Sequence, residues 1–336
     1  MKVFEIQNAF GIENMAIAER PTPEVGAGQV LLKMKAACIN YRDLLTVRGL
    51  YNSKQPLPLI PFSDGVGEVV SVGSDVQSVK TGDRVCPIFA QTWLSGEPTR
   101  NKLRSTLGGP RDGTLAEYML LSEQGVVKVP EHLSDVEAAT LPCAALTAWS
   151  ALVTMGQCKA GDTILLQGTG GVSLFGLQFA KMIGAKAIVT SSSDEKLEKA
   201  KALGADEVIN YKNDPKWGKT AKALTGNLGV DHVIEVGGGG TLAQSLRAIR
   251  FGGTISMIGV LSGFSSEVNL LPILMQQLKI QGILVGHKEG FEDMNRGIAL
   301  HKIQPVVDKV FPFEEVPQAL EYLASGKHFG KVCIQF

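Results

Sequence analysis

Up to about residue 125 the chain alternates apolar and polar positions over short stretches. Val30, Leu32, Met34 and Ala36 alternate with Leu31, Lys33 and Lys35, a period of two with Leu31 as the exception. The run Gly65 to Gly73 continues in that style. Lys80-Thr-Gly-Asp83 is turn chemistry before another strand, Arg84 to Ile88. Short strands broken by Gly and Pro predict a small, mostly antiparallel β-barrel. Gln91 to Gly113 reads as a long polar insertion, either functional or a plain surface loop.

From about residue 126 the texture changes. Apolar runs at Thr163–Gln167, Lys186–Thr190, Glu207–Asn210, His232–Val236, Thr254–Gly259 and Ile280–Val285 are interleaved with helical stretches such as Phe175–Ile183 and Glu195–Leu203. Continuous apolar strands between helices predict a parallel, doubly wound sheet covered on both faces. An amphipathic helix, Val316–Leu323, and a closing strand, Lys331–Gln335, bring the first texture back after about residue 290. The expected organisation is α/β: residues 1–125 and 290–336 in the barrel domain, residues 126–289 in the doubly wound domain.

A length of 336 residues agrees with two domains. The 33 basic and 33 acidic residues cancel, so neither nucleic acid nor an anionic membrane surface is an expected partner. Met1–Phe10 reads as a strand and not as a signal peptide, and glycines interrupt the apolar window Thr163–Ala180, so no membrane association is expected. Cys38, Cys86, Cys143, Cys158 and Cys333 are odd in number and form no Cys-x-x-Cys. That pattern predicts a reduced, cytoplasmic protein without disulfides.

The chemistry is announced by Gly168-Thr-Gly170-Gly171-Val172-Ser173, directly after a strand and opening a helix. Gly168 permits a tight turn, Gly170 lets backbone approach a pyrophosphate, and the helix N-terminus offers unpaired N–H groups. Ser173 replaces the third glycine of the dinucleotide fingerprint. An NAD site usually carries an acid at the tip of the second strand. Here Thr190-Ser191-Ser192-Ser193 occupies it, with Lys196 one turn on. Hydroxyls and a cation favour NADP(H) over NAD(H), although Ser193 also suits a helix N-cap and Lys196 a solvated helix position.

These segments, with Lys35-Ala-Ala-Cys-Ile-Asn-Tyr-Arg-Asp-Leu44, Pro61-Phe-Ser-Asp-Gly-Val-Gly67, Lys80–Val85, Gly113–Tyr118, Leu141-Pro-Cys-Ala-Ala-Leu-Thr-Ala-Trp149, Leu203–Asp206 and Phe329–Val332, resemble the medium-chain dehydrogenase/reductase superfamily. The closest resemblance is to its zinc-independent, quinone-oxidoreductase-like branch. It implies a GroES-like barrel built from both ends of the chain, a Rossmann domain between them, an active site in the cleft and a small-molecule substrate. Metal-binding members use a cysteine, a histidine and a further cysteine or acid. Those positions fall on Asn40, Ser63 and Cys143, of which only Cys143 is a good ligand, so no zinc is expected. No cysteine lies between Cys86 and Cys143, so the four-cysteine structural lobe is absent too.

The resemblance places Thr147 near the nicotinamide and Val172 against its far face. It puts Gly237 to Gly240 and Gly259-Val260 along the cofactor, and Tyr211 beside a 2′-phosphate. Asn40 and Tyr41 stand on the substrate side, either able to donate to a carbonyl oxygen. The catalytic candidates are thus Asn40, Tyr41, Ser63 and Thr147. The cofactor candidates are Thr147, Gly168, Gly170, Gly171, Val172, Ser173, Ser191, Ser192, Lys196, Tyr211, Gly237, Gly259 and Val260. Hydride transfer to a quinone or an α,β-unsaturated carbonyl suits a site without a Lewis acid, because conjugation spreads the developing charge. The alternatives are a catalytically silent NADP(H)-binding protein, crystallin- or sensor-like, and an alcohol dehydrogenase-type activity. Family resemblance implies a homodimer, with Thr254–Gly259 and Ile280–Val285 as apolar edge surface.

Overall fold

The alternating stretch around Val30 becomes an eleven-residue strand, Gln29–Ile39, and it organises the first half of the molecule. The computed structural model describes residues 1–336. Its contacts divide the chain into two units, Met1–Leu146 with Gly286–Phe336, and Thr147–Val285.

In the first unit the strand order is Val307–Pro312, Lys331–Gln335, Gln29–Ile39, Asp64–Val72, Arg84–Pro87 and Val126–Lys128, with Tyr118–Ser122 also pairing with Gln29–Ile39. All these pairs are antiparallel except Val307–Pro312 with Lys331–Gln335. The core beneath them gathers Ile39, Leu44, Leu59, Phe62, Leu115, Val316, Leu320 and Val332. The boundary differs from the sequence expectation, because residues 126–146 join this unit. Val126–Lys128 pairs with Arg84–Pro87, and Asp135–Ala138 is a helix with a Ser134–Glu137 capping box. The charged helix Lys288–His301 is a second departure; its mixed polar composition hides an inner stripe of Phe291, Met294 and Ile298. Asp135–Thr154 is long and apolar enough to span a membrane, but it is mostly buried in protein, as befits a core helix.

The second unit is a six-stranded parallel sheet in the order Glu207–Asn210, Lys186–Ser191, Thr163–Gln167, Val230–Glu235, Ile249–Met257 and Lys279–Gly282. The order reverses between Lys186–Ser191 and Val230–Glu235, on either side of Thr163–Gln167, and such switch points are where doubly wound sheets bind ligands. Ile164, Leu165 and Leu166 in the central strand are fully buried, which explains their continuous apolar run. Ile249–Met257 is an inner strand, so Thr254–Gly259 is not the sheet edge. The edge is Lys279–Gly282, exposed along its whole length.

Candidate active site

Three strand ends bring the candidate acceptor-side residues together within the first unit. Gln29–Ile39 runs antiparallel to both neighbours, so its last residues lie beside the first residues of Asp64–Val72 and of Lys331–Gln335. Cys38 pairs with Asp64 on one side and with Cys333 on the other. One step beyond the Ile39–Val332 pair, Asn40 meets Lys331. The Lys331 ammonium, fully buried, donates to Asn40 Oδ1 at 2.5 Å and to the Ile39 carbonyl at 2.8 Å.

Asp64 gathers the next residues. Ser63 Oγ donates to Asp64 Oδ1 at 2.8 Å, and the backbone N–H of Cys143 donates to Asp64 Oδ2 at 3.1 Å. Asn40, Ser63 and Cys143, far apart in sequence, therefore converge, held by Asp64 and Lys331, which the sequence reading passed over. Phe62, just before Ser63, takes φ +71° and is completely buried. The left-handed backbone costs about 1–3 kcal/mol, and burying the ring returns a similar amount.

Burial sets the charges here. It raises the Asp64 carboxyl above its ordinary range, against the opposing pull of Lys331, Asn40, Ser63 and Cys143. Burial also disfavours the Lys331 charge, but the neighbouring Asp64 carboxylate opposes it, and the ammonium is held above the ordinary lysine value. Asp43 is pushed up to about 7, chiefly by burial, with Arg42 opposing. Burial lifts the Cys143 thiol well above its ordinary value, with Asp64 adding to the effect. Cys143 is therefore a protonated, small filler and not a nucleophile. Metal ligation is poorly served by this donor set: the Asn40 oxygen already faces an ammonium, and Ser63 is spent on Asp64.

Asn40 precedes the helix Tyr41–Val47, and its backbone N–H donates to Asp43 Oδ2 at 2.8 Å. Tyr41, at the first helical position, is 44% exposed and so accessible. Arg42 ties this helix to the insertion by donating to the Leu107 and Gly109 carbonyls at 3.0 and 3.3 Å. The Gln91–Gly113 segment is thus anchored, not a free surface loop. Trp93 is buried, edge-on to His287, with its indole N–H donating to Gly96 O at 2.8 Å. His287 caps the Lys288–His301 helix through Nδ1. Both residues hold structure.

The second unit carries the candidate cofactor residues. Gly168 has φ +73°. A Cβ built on Gly168 or Gly170 would meet no atom within 4 Å, so the backbone faces open space. Gly170 caps the helix Gly171–Ile183 without any side-chain hydrogen bond, which leaves the first N–H groups for an anion. Val172 sits half-buried on that first turn, and Thr147 is buried in the same unit. Ser173 Oγ donates to the Gln167 carbonyl at 2.6 Å.

Gln167 and Glu235, neither singled out from the sequence, tie the glycine loops together. Gln167 Nε2 donates to Glu235 Oε2 at 2.7 Å, while Gln167 Oε1 accepts from the N–H groups of Val236 and Gly237. Glu235 Oε1 accepts from the N–H groups of Gly237 and Gly238 at 2.9 Å and from Thr241 Oγ1 at 2.5 Å. The Gly237–Gly240 turn is laced to the next loop through Gly239 N to Gly263 O and Ser262 N to Gly237 O. Gly259 and Val260 lie against Gly238 of the same turn. The available sequence signal was an acid, Glu235, directly after the apolar pair Val233-Ile234 and before a glycine run.

At the strand tips, Tyr211 N–H donates to the Ser191 carbonyl at 3.0 Å. Ser193 Oγ accepts from Lys196 N, so Ser193 is the helix N-cap. Ser191, Ser192, Lys196 and Tyr211 thus share one corner, and the nearby Asp194 carboxylate is engaged by Asn210 Nδ2 at 2.7 Å. An open glycine turn, a free helix N-terminus and a hydroxyl-rich tip fit a nicotinamide dinucleotide.

This arrangement defines a pyridine-nucleotide oxidoreductase with a barrel unit and a Rossmann unit. Residues 26–131 match the alcohol dehydrogenase GroES-like domain, and residues 171–300 match the zinc-binding dehydrogenase family. A zinc-type alcohol dehydrogenase-like protein of Schizosaccharomyces pombe is 46% identical over 97% of this chain and 96% of its own. A human quinone oxidoreductase is 28% identical over 89% and 86% of the two chains. A Sinorhizobium meliloti crystal structure named for alcohol dehydrogenase superposes with a TM-score of 0.91 at 44% identity, covering 100% and 99% of the two chains. The chain belongs to the medium-chain dehydrogenase/reductase superfamily, and its activity is that of an NAD(P)H-dependent oxidoreductase.

Proposed function

We propose that the protein reduces a quinone or an α,β-unsaturated carbonyl with NADPH, without catalytic zinc. The observation that carries this reading is the Lys331 ammonium on Asn40 Oδ1. A site that already places a buried cation against the first of the three family ligand positions favours a developing oxyanion and disfavours a metal ion. The second position, Ser63, is a hydroxyl committed to Asp64.

When bound, the reduced cofactor supplies hydride to the electron-poor carbon of the acceptor. Ser191, Ser192, Lys196 and Tyr211 suit the phosphate-bearing end, the glycine turn the pyrophosphate. Asn40 Nδ2 donates to the acceptor oxygen as it gains negative charge. The accessible Tyr41 hydroxyl, or water, delivers the proton that completes the reduction. Five free thiols support a reducing, cytoplasmic setting.

The test is NADPH oxidation measured across quinones, enones, enoyl thioesters and aldehydes, on protein assayed for metal. Turnover with quinones or enones that survives chelation supports the reading. Activity confined to alcohols and aldehydes and restored by zinc overturns it in favour of alcohol dehydrogenase chemistry.

A further inference from the structure

Lys331 and Asn40 come from segments 291 residues apart and meet inside the barrel unit. A lysine ammonium has three donors and no acceptor. It must therefore face the oxygen of the Asn40 amide, which turns the NH2 group the other way. Nδ2 is buried and meets no acceptor at strict hydrogen-bonding geometry; the group it approaches is the Asp64 carboxylate, and that contact favours the Asp64 anion. An amide carries two N–H protons, so at least one is left unspent. A buried donor without an acceptor costs about 1–3 kcal/mol. An oxygen that accepts from it recovers that cost, and recovers more as the oxygen becomes negative.

We propose that Lys331 is a positioning residue for catalysis: it fixes the Asn40 amide so that its unspent N–H meets the reacting oxygen, and it polarises that donor. The polarisation follows from the contact. A cation on Oδ1 draws electron density from the amide nitrogen and makes its protons better donors. Strand register explains why the pair is rigid. Lys331 opens one strand, Asn40 directly follows the last residue of its antiparallel neighbour, and the ammonium holds the Ile39 carbonyl as well. This inference rests on the reading of Asn40 as the donor to substrate.

A double-mutant cycle, with NADPH and an ortho-quinone as the assay, separates the two. Asn40→Ala is expected to lower kcat about 100-fold, the loss typical of one oxyanion donor. Lys331→Met is expected to lower kcat at least about 10-fold while KM for NADPH stays within about two-fold. Lys331→Arg, which keeps the cation, is expected to recover most of that loss. In the Asn40→Ala background Lys331→Met should cost nothing further, because the lysine has lost the group it acts through. Full turnover in Asn40→Ala sinks the donor reading. A crippled Asn40→Ala beside an unaffected Lys331→Met, or losses that multiply in the double variant, sinks the positioning role alone. Lys331→Gln, close in length and uncharged, is read in the same way where the methionine variant does not fold.

Discussion

Ser173 Oγ donates to the main-chain carbonyl of Gln167 at 2.6 Å, joining the first turn of the cofactor helix to the end of the strand that precedes it. The dinucleotide fingerprint places glycine there so that helix and strand can pack closely. Ser173 meets the same demand with a small side chain and adds a bond that glycine lacks. Ser173→Ala should therefore lower stability by about 1 kcal/mol, seen as a modest drop in Tm, with NADPH affinity within about three-fold of wild type. Unchanged Tm would show the bond to be energetically silent.

We propose that cofactor choice is set at the Ser191, Ser192, Lys196 and Tyr211 corner. Lys196→Glu puts an anion where a 2′-phosphate would lie. Fluorescence titration should show NADPH binding weakened at least about ten-fold, with NADH binding little changed. Equal losses for both cofactors would mean that Lys196 does not read the phosphate.

The Glu235 carboxylate receives five donors, from Gln167, Gly237, Gly238, Thr241 and Ser245. In Glu235→Gln an amide NH2 replaces one accepting oxygen and opposes the donors aimed at it. A loss of about 1–3 kcal/mol for each group left unpaired follows. Both Tm and cofactor affinity should fall, because the same carboxylate shapes the Gly237–Gly240 turn. Wild-type values in both measurements would refute the network's role.

Asp43 gives a pH dependence whose sign can be worked out. Its carboxyl rises from 3.8 to about 7 on folding, chiefly through burial. The folded state therefore holds the proton more tightly than the unfolded chain does. Its contribution to stability is complete below pH 3.8 and is lost as pH rises to about 7. Asp43→Asn removes the titration while keeping an acceptor for the Asn40 N–H. Between pH 5 and 7 the Tm of this variant should fall less with rising pH than that of wild type. Parallel curves would contradict the assignment.

We propose that the protein is a homodimer. The edge strand Lys279–Gly282 is exposed throughout, and Leu270, Leu271, Leu274 and Met275 nearby are 58–74% exposed. Such surface on a sheet edge invites pairing. Sedimentation of Leu274→Asp combined with Ile280→Lys should show a shift from dimer to monomer. Wild-type protein running as a monomer would end the proposal.

The doubly wound sheet was readable because its signals are local: continuous apolar strands, a glycine turn between strand and helix, helices of regular spacing. Even the inner and edge strands were separable in principle, since Ile280 is flanked by the long polar Lys279 and Gln281 whereas Ile255 is flanked by the small, uncharged Thr254 and Ser256. The candidate acceptor site was legible only through resemblance, and then only for Asn40, Tyr41, Ser63 and Cys143. Lys331 and Asp64 escaped because strand register, not sequence distance, makes them neighbours. The faint signal was a lysine opening the apolar strand Lys331–Gln335. Residues 126–146 were misassigned because Val126–Lys128 is too short to show a period of its own.

The second unit is one unbroken stretch of sequence, whereas the acceptor site takes its buried cation from residue 331. During synthesis the nucleotide fold has all its residues available first. The strand that delivers Lys331 emerges later, so a nascent chain passes through a stage in which Asp64 and Asn40 await their counter-charge. A chain ending at residue 285 would leave the Asn40 and Asp64 strand ends without the buried cation they share.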